Sequence, residues 1–161
     1  MNCGRCGGVL KVVRREHRYI ECGLPSVTLH GVQVRECKAC GDEEVAIPNL
    51  SGLHRCIAAG IVERTSALAA PEIRFLRQFL GHSSKDFAKI LGVAAETFSR
   101  WQTGARKIDP SADRLIRLLV LRTPPRTDYS EDMLAGITPN PPKHPKMSLR
   151  LRGNAWEAVA A

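Results

Sequence analysis

Two short cysteine pairs constrain this chain more than any other feature. Cys3-Gly4-Arg5-Cys6 and Cys37-Lys38-Ala39-Cys40 are separated by 30 residues, and glycine follows each pair. Two thiolates from one tight turn chelate a metal, while the glycine lets backbone N–H groups point at sulfur. Four thiolates form a closed tetrahedral set, as in structural zinc sites that keep no open position for catalysis. One Zn2+ per chain, held by Cys3, Cys6, Cys37 and Cys40, would tie the two pairs together around a small sheet. A redox dithiol pair is the alternative that the spacing leaves open.

The start of the chain has no apolar run long enough for a signal peptide, and no stretch is long enough to span a membrane. The expectation is therefore a cytoplasmic protein without a membrane partner. Thiols stay reduced there, so six cysteines point to metal before disulfides. Cys22 and Cys56 lack a paired partner and read as buried structural thiols. The histidines (His17, His30, His54, His82, His144) are scattered and make no ligand set. No triad, carboxylate pair or phosphate loop is present in the sequence, so no enzyme is expected.

Residues 8–15 are rich in valine and read as a strand. Val27-Thr28-Leu29 and Val32-Gln33-Val34 alternate apolar and polar around His30-Gly31, which predicts a hairpin turn at that dipeptide. A helix is expected over residues 49–65, with Leu50, Leu53, Ile57 and Ile61 on its buried stripe. Ala67-Leu68-Ala69-Ala70 reads as a link between domains. Pro71 then suits the first turn of a helix running to about residue 80.

Residues 83–104 read as two short helices joined by a tight turn. Ser83 can cap the first, with Asp86 near its positive end. Phe87, Ala88 and Leu91 share one face, and Gly92 stands where a chain leaving a helix turns left-handed. Phe98 and Trp101 supply the apolar face of the second helix, and Gly104 ends it. This is the layout of a helix-turn-helix, whose second helix enters the DNA major groove. An ordinary αα-hairpin is the plain alternative. Asp109-Pro110 starts a further helix, in which Leu115, Ile116, Leu118, Leu119 and Leu121 offer more apolar surface than one small core needs. The surplus is read as core or as the seat of a homodimer.

Charge follows the same division. The net charge is +8, of which residues 71–122 carry +5, with 10 Lys/Arg against 5 Asp/Glu. A phosphate partner accounts for that excess, although a solvated basic surface would look alike. In the DNA reading, Arg100 offers a bidentate fork to guanine while Glu96, Thr97 and Ser99 read neighbouring base edges. Ser83, Ser84 and Lys85, together with Arg106 and Lys107, hold phosphates and fix register.

The expected architecture is therefore α+β in two small domains. A zinc-bound sheet domain with a linking helix takes residues 1–66, and an all-α helix-turn-helix domain of four to five helices takes 67–122. Residues 123–161 hold six of the ten prolines and read as a flexible tail, with a strand over 147–152 if something offers it an edge.

The order of CxxC, short strands, CxxC, linking helix and helix-turn-helix resembles the MqsA family of antitoxins, which join a YgiT-type zinc finger to a Cro/lambda-repressor-like domain. Both cysteine pairs and the Phe98-Ser99-Arg100-Trp101 and Gln102-Thr103-Gly104 segments carry the resemblance, over roughly residues 1–122. It implies a transcriptional repressor that dimerises on a palindromic operator of its own operon, and a zinc domain that contacts a ribonuclease toxin. It also implies the same four zinc ligands and a base contact by Arg100. The chain departs from the family pattern at Glu96, where asparagine is usual, at Ala94, a poor cap, and beyond residue 123. Two further readings stand beside it: a zinc-containing regulator with no toxin, and a zinc-dependent protein-interaction module. Ala158-Val159-Ala160-Ala161 resembles the small apolar tails that bacterial proteases recognise, as expected of a short-lived antitoxin.

Overall fold

The computed structural model describes residues 1–123, 137 and 146–159, and it is mixed α+β: one five-stranded sheet and five helices. Strand β1 (Leu10–Arg18) pairs antiparallel with β2 (Val27–Cys37), from Leu10↔Cys37 to Arg18↔Thr28. Strand β3 (Glu43–Ala46) returns along the far half of β2, from Glu36↔Glu43 to Gln33↔Ala46. The near half of β2 is left for another strand.

The hairpin expected at His30-Gly31 is not there, because residues 27–37 form one unbroken strand. The two segments do change phase, with Val27 and Leu29 buried on odd positions and Val32 and Val34 buried on even ones. A bulge absorbs the change. Arg15 pairs with Val32 and His17 with Leu29, so His30 and Gly31 together oppose Glu16. Gly31 takes φ 75, which an extra residue in a strand needs and a side chain with Cβ disfavours. The Glu16 carboxylate lies 3.0 Å from His30 Nδ1 at this point.

The tail expectation is corrected at its far end. Strand β4 (Met147–Arg152) runs parallel to the near half of β2, from Val27↔Met147 to His30↔Arg150, and β5 (Ala155–Val159) folds back outside it. The open edge beside residues 27–30 supplies the hydrogen bonds that a strand there requires. Leu149, with no exposed surface, and Trp156 at 8% supply the apolar burial. Of the protease-tail residues, Ala158 and Val159 lie in β5, while Ala160 and Ala161 fall outside the described residues. So do residues 124–136 and 138–145, which hold the six tail prolines.

Helix α1 (Leu50–Val62) begins at Asn49, whose side-chain oxygen accepts from the Gly52 N–H at 3.1 Å. The Asn49 amide also donates to the Asn154 carbonyl at 2.8 Å, so one residue caps the helix and grips the β4–β5 turn. Leu53, Ile57 and Ile61 are buried, but Leu50 in the first turn stays 48% exposed, contrary to its expected place on the stripe. Trp156 Nε1 donates to the Pro48 carbonyl at 3.1 Å and fastens β5 to the same helix start. In the second turn of α1, Tyr19 Oη and His54 Nε2 are 2.9 Å apart, and His54 meets the edge of Phe75 at 5.6 Å.

Helices α2 (Ala70–Phe79), α3 (Ser84–Ile90), α4 (Ala95–Thr103) and α5 (Pro110–Leu121) follow. As expected, Asp109 caps α5 by accepting from the Ser111 N–H at 2.9 Å, with Pro110 at the first helical position. The buried side chains form one contiguous cluster, running from Leu29 and Leu149 in the sheet through Leu53 and Ile57 to Phe75, Phe98 and Ile116. No gap in that cluster marks the boundary expected at residue 66.

Candidate metal centre and helical surface

Both cysteine knuckles have the same backbone design. In the first, the Gly7 N–H donates to the Cys3 carbonyl at 2.9 Å; in the second, the Gly41 N–H donates to the Cys37 carbonyl at 2.8 Å. Each turn closes through a left-handed glycine, Gly7 at φ 73 and Gly41 at φ 72. Strand β2 delivers Cys37 at its last residue, and β3 follows the knuckle directly. The first knuckle is held in place by an Asn2↔Val9 bridge and by the Leu10↔Cys37 pairing.

The four Sγ atoms lie within 4.8 Å of one another, with Cys3 to Cys40 at 3.8 Å and Cys6 to Cys37 at 3.4 Å. A tetrahedron with metal–sulfur bonds of about 2.3 Å has edges of about 3.8 Å, so the set fits one thiophilic ion. A disulfide would need about 2.05 Å, and all four thiols are free. Gly8 shows how close the packing is, since a Cβ there would meet Cys37 Sγ and Cys6 Sγ at 3.3 Å each. Cys3 and Cys37 are buried, whereas Cys6 and Cys40 face solvent.

Charge on the cluster is unevenly shared. The Cys40 N–H and the Cys6 thiol, helped by the Ala39 N–H, hold the Cys37 thiol down to about 7 against burial. Cys40 is pushed the other way: despite the Asp42 N–H, the Cys6 thiol, burial and the Cys37 and Cys3 thiols raise it to about 12. Sulfurs this close cannot all carry charge unaided. A divalent ion among them removes that repulsion, and the fit of the donor set to a structural metal rests on this. The other two cysteines stand apart and half-buried, with Cys22 Sγ donating to the Tyr19 carbonyl at 3.4 Å.

The second candidate surface is built by α3 and α4. Ser83 Oγ accepts from the Asp86 N–H at 3.1 Å and donates to the Asp86 carboxylate at 2.6 Å, capping α3. The turn runs through Gly92 at φ 69, and the Val93 N–H donates to the Ala88 carbonyl at 3.0 Å. Phe87 and Phe98 have no exposed surface and meet edge to face at 5.5 Å; Ala88 and Trp101 are also buried. Ala94 caps α4 without any side-chain hydrogen bond.

With Phe98 and Trp101 buried, α4 turns Glu96, Ser99, Arg100 and Thr103 outward. These positions fall at i, i+3, i+4 and i+7, one face of a helix. Thr97 is half-buried on the shoulder. Ser83, Ser84 and Lys85 are exposed at the start of α3, as are Arg106 and Lys107 after Gly104. Thr103, which sequence reasoning did not single out, lies on the outward face, its hydroxyl donating back to the Ser99 carbonyl at 3.1 Å. Gln102 was also missed. It is buried, accepts from Arg77 Nε at 2.9 Å and donates to Ser84 Oγ at 3.1 Å, so it fixes α4 against α2 and the start of α3. Its position one residue after Trp101 was the only signal of that role.

Among the described residues no helix is long and apolar enough to cross a membrane. Comparison of the chain with protein-family models, curated proteins and solved structures gives no match.

Proposed function

We propose that this protein is a sequence-specific DNA-binding regulator, the antitoxin of a toxin–antitoxin pair that represses its own operon and binds a ribonuclease toxin. The observation that carries the DNA half is the outward face of α4. Glu96, Ser99, Arg100 and Thr103 project together from a helix whose other side is fixed by Phe98 and Trp101. A helix in that setting fits the width of the major groove. Arg100 is the guanine reader, with Glu96, Thr97 and Ser99 on adjacent bases. Ser83, Ser84, Lys85, Arg106 and Lys107 grip the phosphates on either side.

The protein works as a cytoplasmic homodimer on a palindromic operator. Leu118, 42% exposed on α5 beside half-buried Leu115 and Leu119, supports pairing of two copies. A single structural Zn2+ per chain, held by Cys3, Cys6, Cys37 and Cys40, organises the knuckle end of the sheet. The toxin half rests on the resemblance in motif order to MqsA-type antitoxins.

The test is binding of the zinc-loaded protein to DNA from upstream of its own gene, against scrambled DNA, across salt. Tight, sequence-dependent binding with dimer stoichiometry is expected. Equal and steeply salt-sensitive binding to both DNAs would leave only a basic protein. Arg100→Ala should cost about 1–3 kcal/mol and relax specificity at one base pair, while Lys107→Ala should weaken all sequences alike and lower the salt slope by about 1. An unchanged base preference in Arg100→Ala would remove α4 as the reading helix.

A further inference from the structure

Strand β1, nine residues long, is the longest edge of the sheet. It pairs with β2 alone, while β3 and β4 share the other side of β2. The Leu10 N–H turns away from β2 to the Met1 carbonyl at 3.2 Å, and the Tyr19 N–H turns toward β2 to the Val27 carbonyl at 2.9 Å. Backbone groups alternate along a strand, so Val12, Arg14, Glu16 and Arg18 direct their N–H and C=O groups away from β2. Among the described residues nothing pairs with those groups. The residues that flank the undescribed segments stand elsewhere. Thr123 lies beside α1 and Trp156, Ile137 lies against the α4–α5 loop, and Lys146 precedes Met147, which has β2 between it and β1.

The side chains along this stretch select what can pair there. Arg15 and His17 lie across from buried Val32 and Leu29, so Val12, Arg14, Glu16 and Arg18 share the opposite face, where all four are exposed. Arg14 and Arg18 lie across from uncharged Gln33 and Thr28, while the Glu16 carboxylate is 3.0 Å from His30 Nδ1. Arg14 makes no side-chain hydrogen bond or ion pair among the described residues. Arg18 donates to the Pro25 carbonyl at 3.3 Å, a neutral acceptor that leaves its charge unmatched. Two copies of β1 laid edge to edge would set Lys11, Arg14, Arg15 and Arg18 of each against those of the other, with Glu16 as the one carboxylate per strand. Like charges across a strand pair are destabilising, so this edge rejects its own kind, as guarded edges do. An acidic strand meets no such barrier.

We propose that the outer edge of β1 docks an acidic, extended segment of another protein, which joins the sheet as a further strand. The segment's backbone bonds to the outward groups of Val12 through Arg18 and supplies the affinity. Its carboxylates, at the spacing of Arg14 and Arg18, meet the two guanidinium groups and select the partner. Val12, 56% exposed, offers an apolar contact at the end of the same row. The proposal goes beyond the regulator reading and needs neither DNA nor a toxin, since α3 and α4 take no part in it.

The test titrates the full-length, metal-loaded protein with the end-blocked peptide Thr-Glu-Val-Thr-Val-Glu-Thr-Val, whose glutamates fall opposite Arg18 and Arg14 in an antiparallel pairing. Two counterparts carry lysine for glutamate or are N-methylated throughout. Binding is followed by calorimetry and by amide exchange in NMR. The acidic peptide should saturate and protect the amides of Val12, Arg14, Glu16 and Arg18. Those of Val13, Arg15 and His17, already turned toward β2, should stay as they were. The lysine and N-methylated peptides should bind at least about tenfold more weakly. Arg14→Gln should weaken the acidic peptide about threefold. Val12→Pro removes an N–H that β2 does not use, a change that edge strands accept, and should abolish binding with the melting temperature unchanged. Should that variant fail to fold, the N-methylated peptide decides the same point from the partner's side. No binding of the acidic peptide at millimolar concentration, equal binding of the lysine or the N-methylated peptide, or protection confined to residues outside β1 would overturn the proposal. An oligothymidylate that displaces the peptide and protects the same four amides would assign the edge to nucleic acid and overturn it as well.

Discussion

Arg117 has no exposed surface, and its guanidinium meets a carboxylate and three backbone carbonyls. Nε donates to Asp113 at 2.6 Å, Nη1 to the carbonyls of Val62 at 3.0 Å and Arg64 at 2.5 Å, and Nη2 to Ser66 at 2.6 Å. The connection between α1 and α2 is thereby fastened to α5. Burying such a pair gains little over an apolar core, but removing one partner strands the other. Arg117→Met should therefore cost about 3–5 kcal/mol in urea denaturation, and adding Asp113→Asn should restore part of the loss. A cost below about 1 kcal/mol would show that water replaces the guanidinium. His54 makes a prediction of opposite character, about pH. Burial lowers its pKa below the ordinary value of 6.5, so the unfolded chain binds the extra proton first. The neutral ring's contribution is complete above pH 6.5 and is lost as pH falls through the lowered folded value. Stability should fall as pH drops from 6.5 to that lowered value, and less so in His54→Gln, with metal content checked in both proteins. Parallel pH profiles would mean that the Tyr19–His54 contact bears no proton linkage.

Among the elements, β2 carries the heaviest duty, since it pairs with β1 on one edge and shares the other between β3 and β4. One end of it delivers Cys37 to the metal set, and the other end lies in the apolar core with Val27 and Leu29. Hydrophobic burial holds one end, and a metal ion bound by the four thiols would hold the other. Metal binding in isolated zinc-finger peptides is worth about 10–16 kcal/mol and amounts to their whole stability. Here burial at the opposite end should make the response local. Chelation should speed amide exchange over residues 1–9 and 36–44 while Val27, Leu29 and α1 stay protected. Uniform loss of protection across the sheet would mean that the metal holds all of it.

At the scale of the whole molecule, residues 146–159 close the sheet edge and send Leu149 and Trp156 into the common core. A large buried apolar side chain contributes about 1.5–3 kcal/mol, so ending the chain after Thr123 should lower stability by roughly 3–6 kcal/mol. The measurement is thermal melting with metal present. An unchanged melting temperature would make the hairpin an ornament on an independent fold. Because the cluster is continuous from sheet to α5, the loss should reach the α3–α4 surface as well, and melting followed at Trp101 and at the sheet should coincide.

Local chemistry made much of this legible in advance. The CxxC spacing named four sulfurs that do converge, because a knuckle is specified by its own few residues. Ser83, Gly92, Gly104 and Asp109-Pro110 marked helix ends correctly, because caps and left-handed turns act within one turn of chain. The Val27–Val34 phase change was visible too, but a bulge and a hairpin both invert alternation, and only the partner strand decides between them. Arg117, Gln102 and the β4–β5 hairpin were out of reach for the same reason. The partners that decide their places lie between 18 and 120 residues away, from Ser84 for Gln102 to Val27 for Met147. Local sequence marked the two knuckles and most of the helix ends; the tertiary structure decided where the strands run and which edges and charges each element meets, because burial and pairing are properties of two distant segments at once.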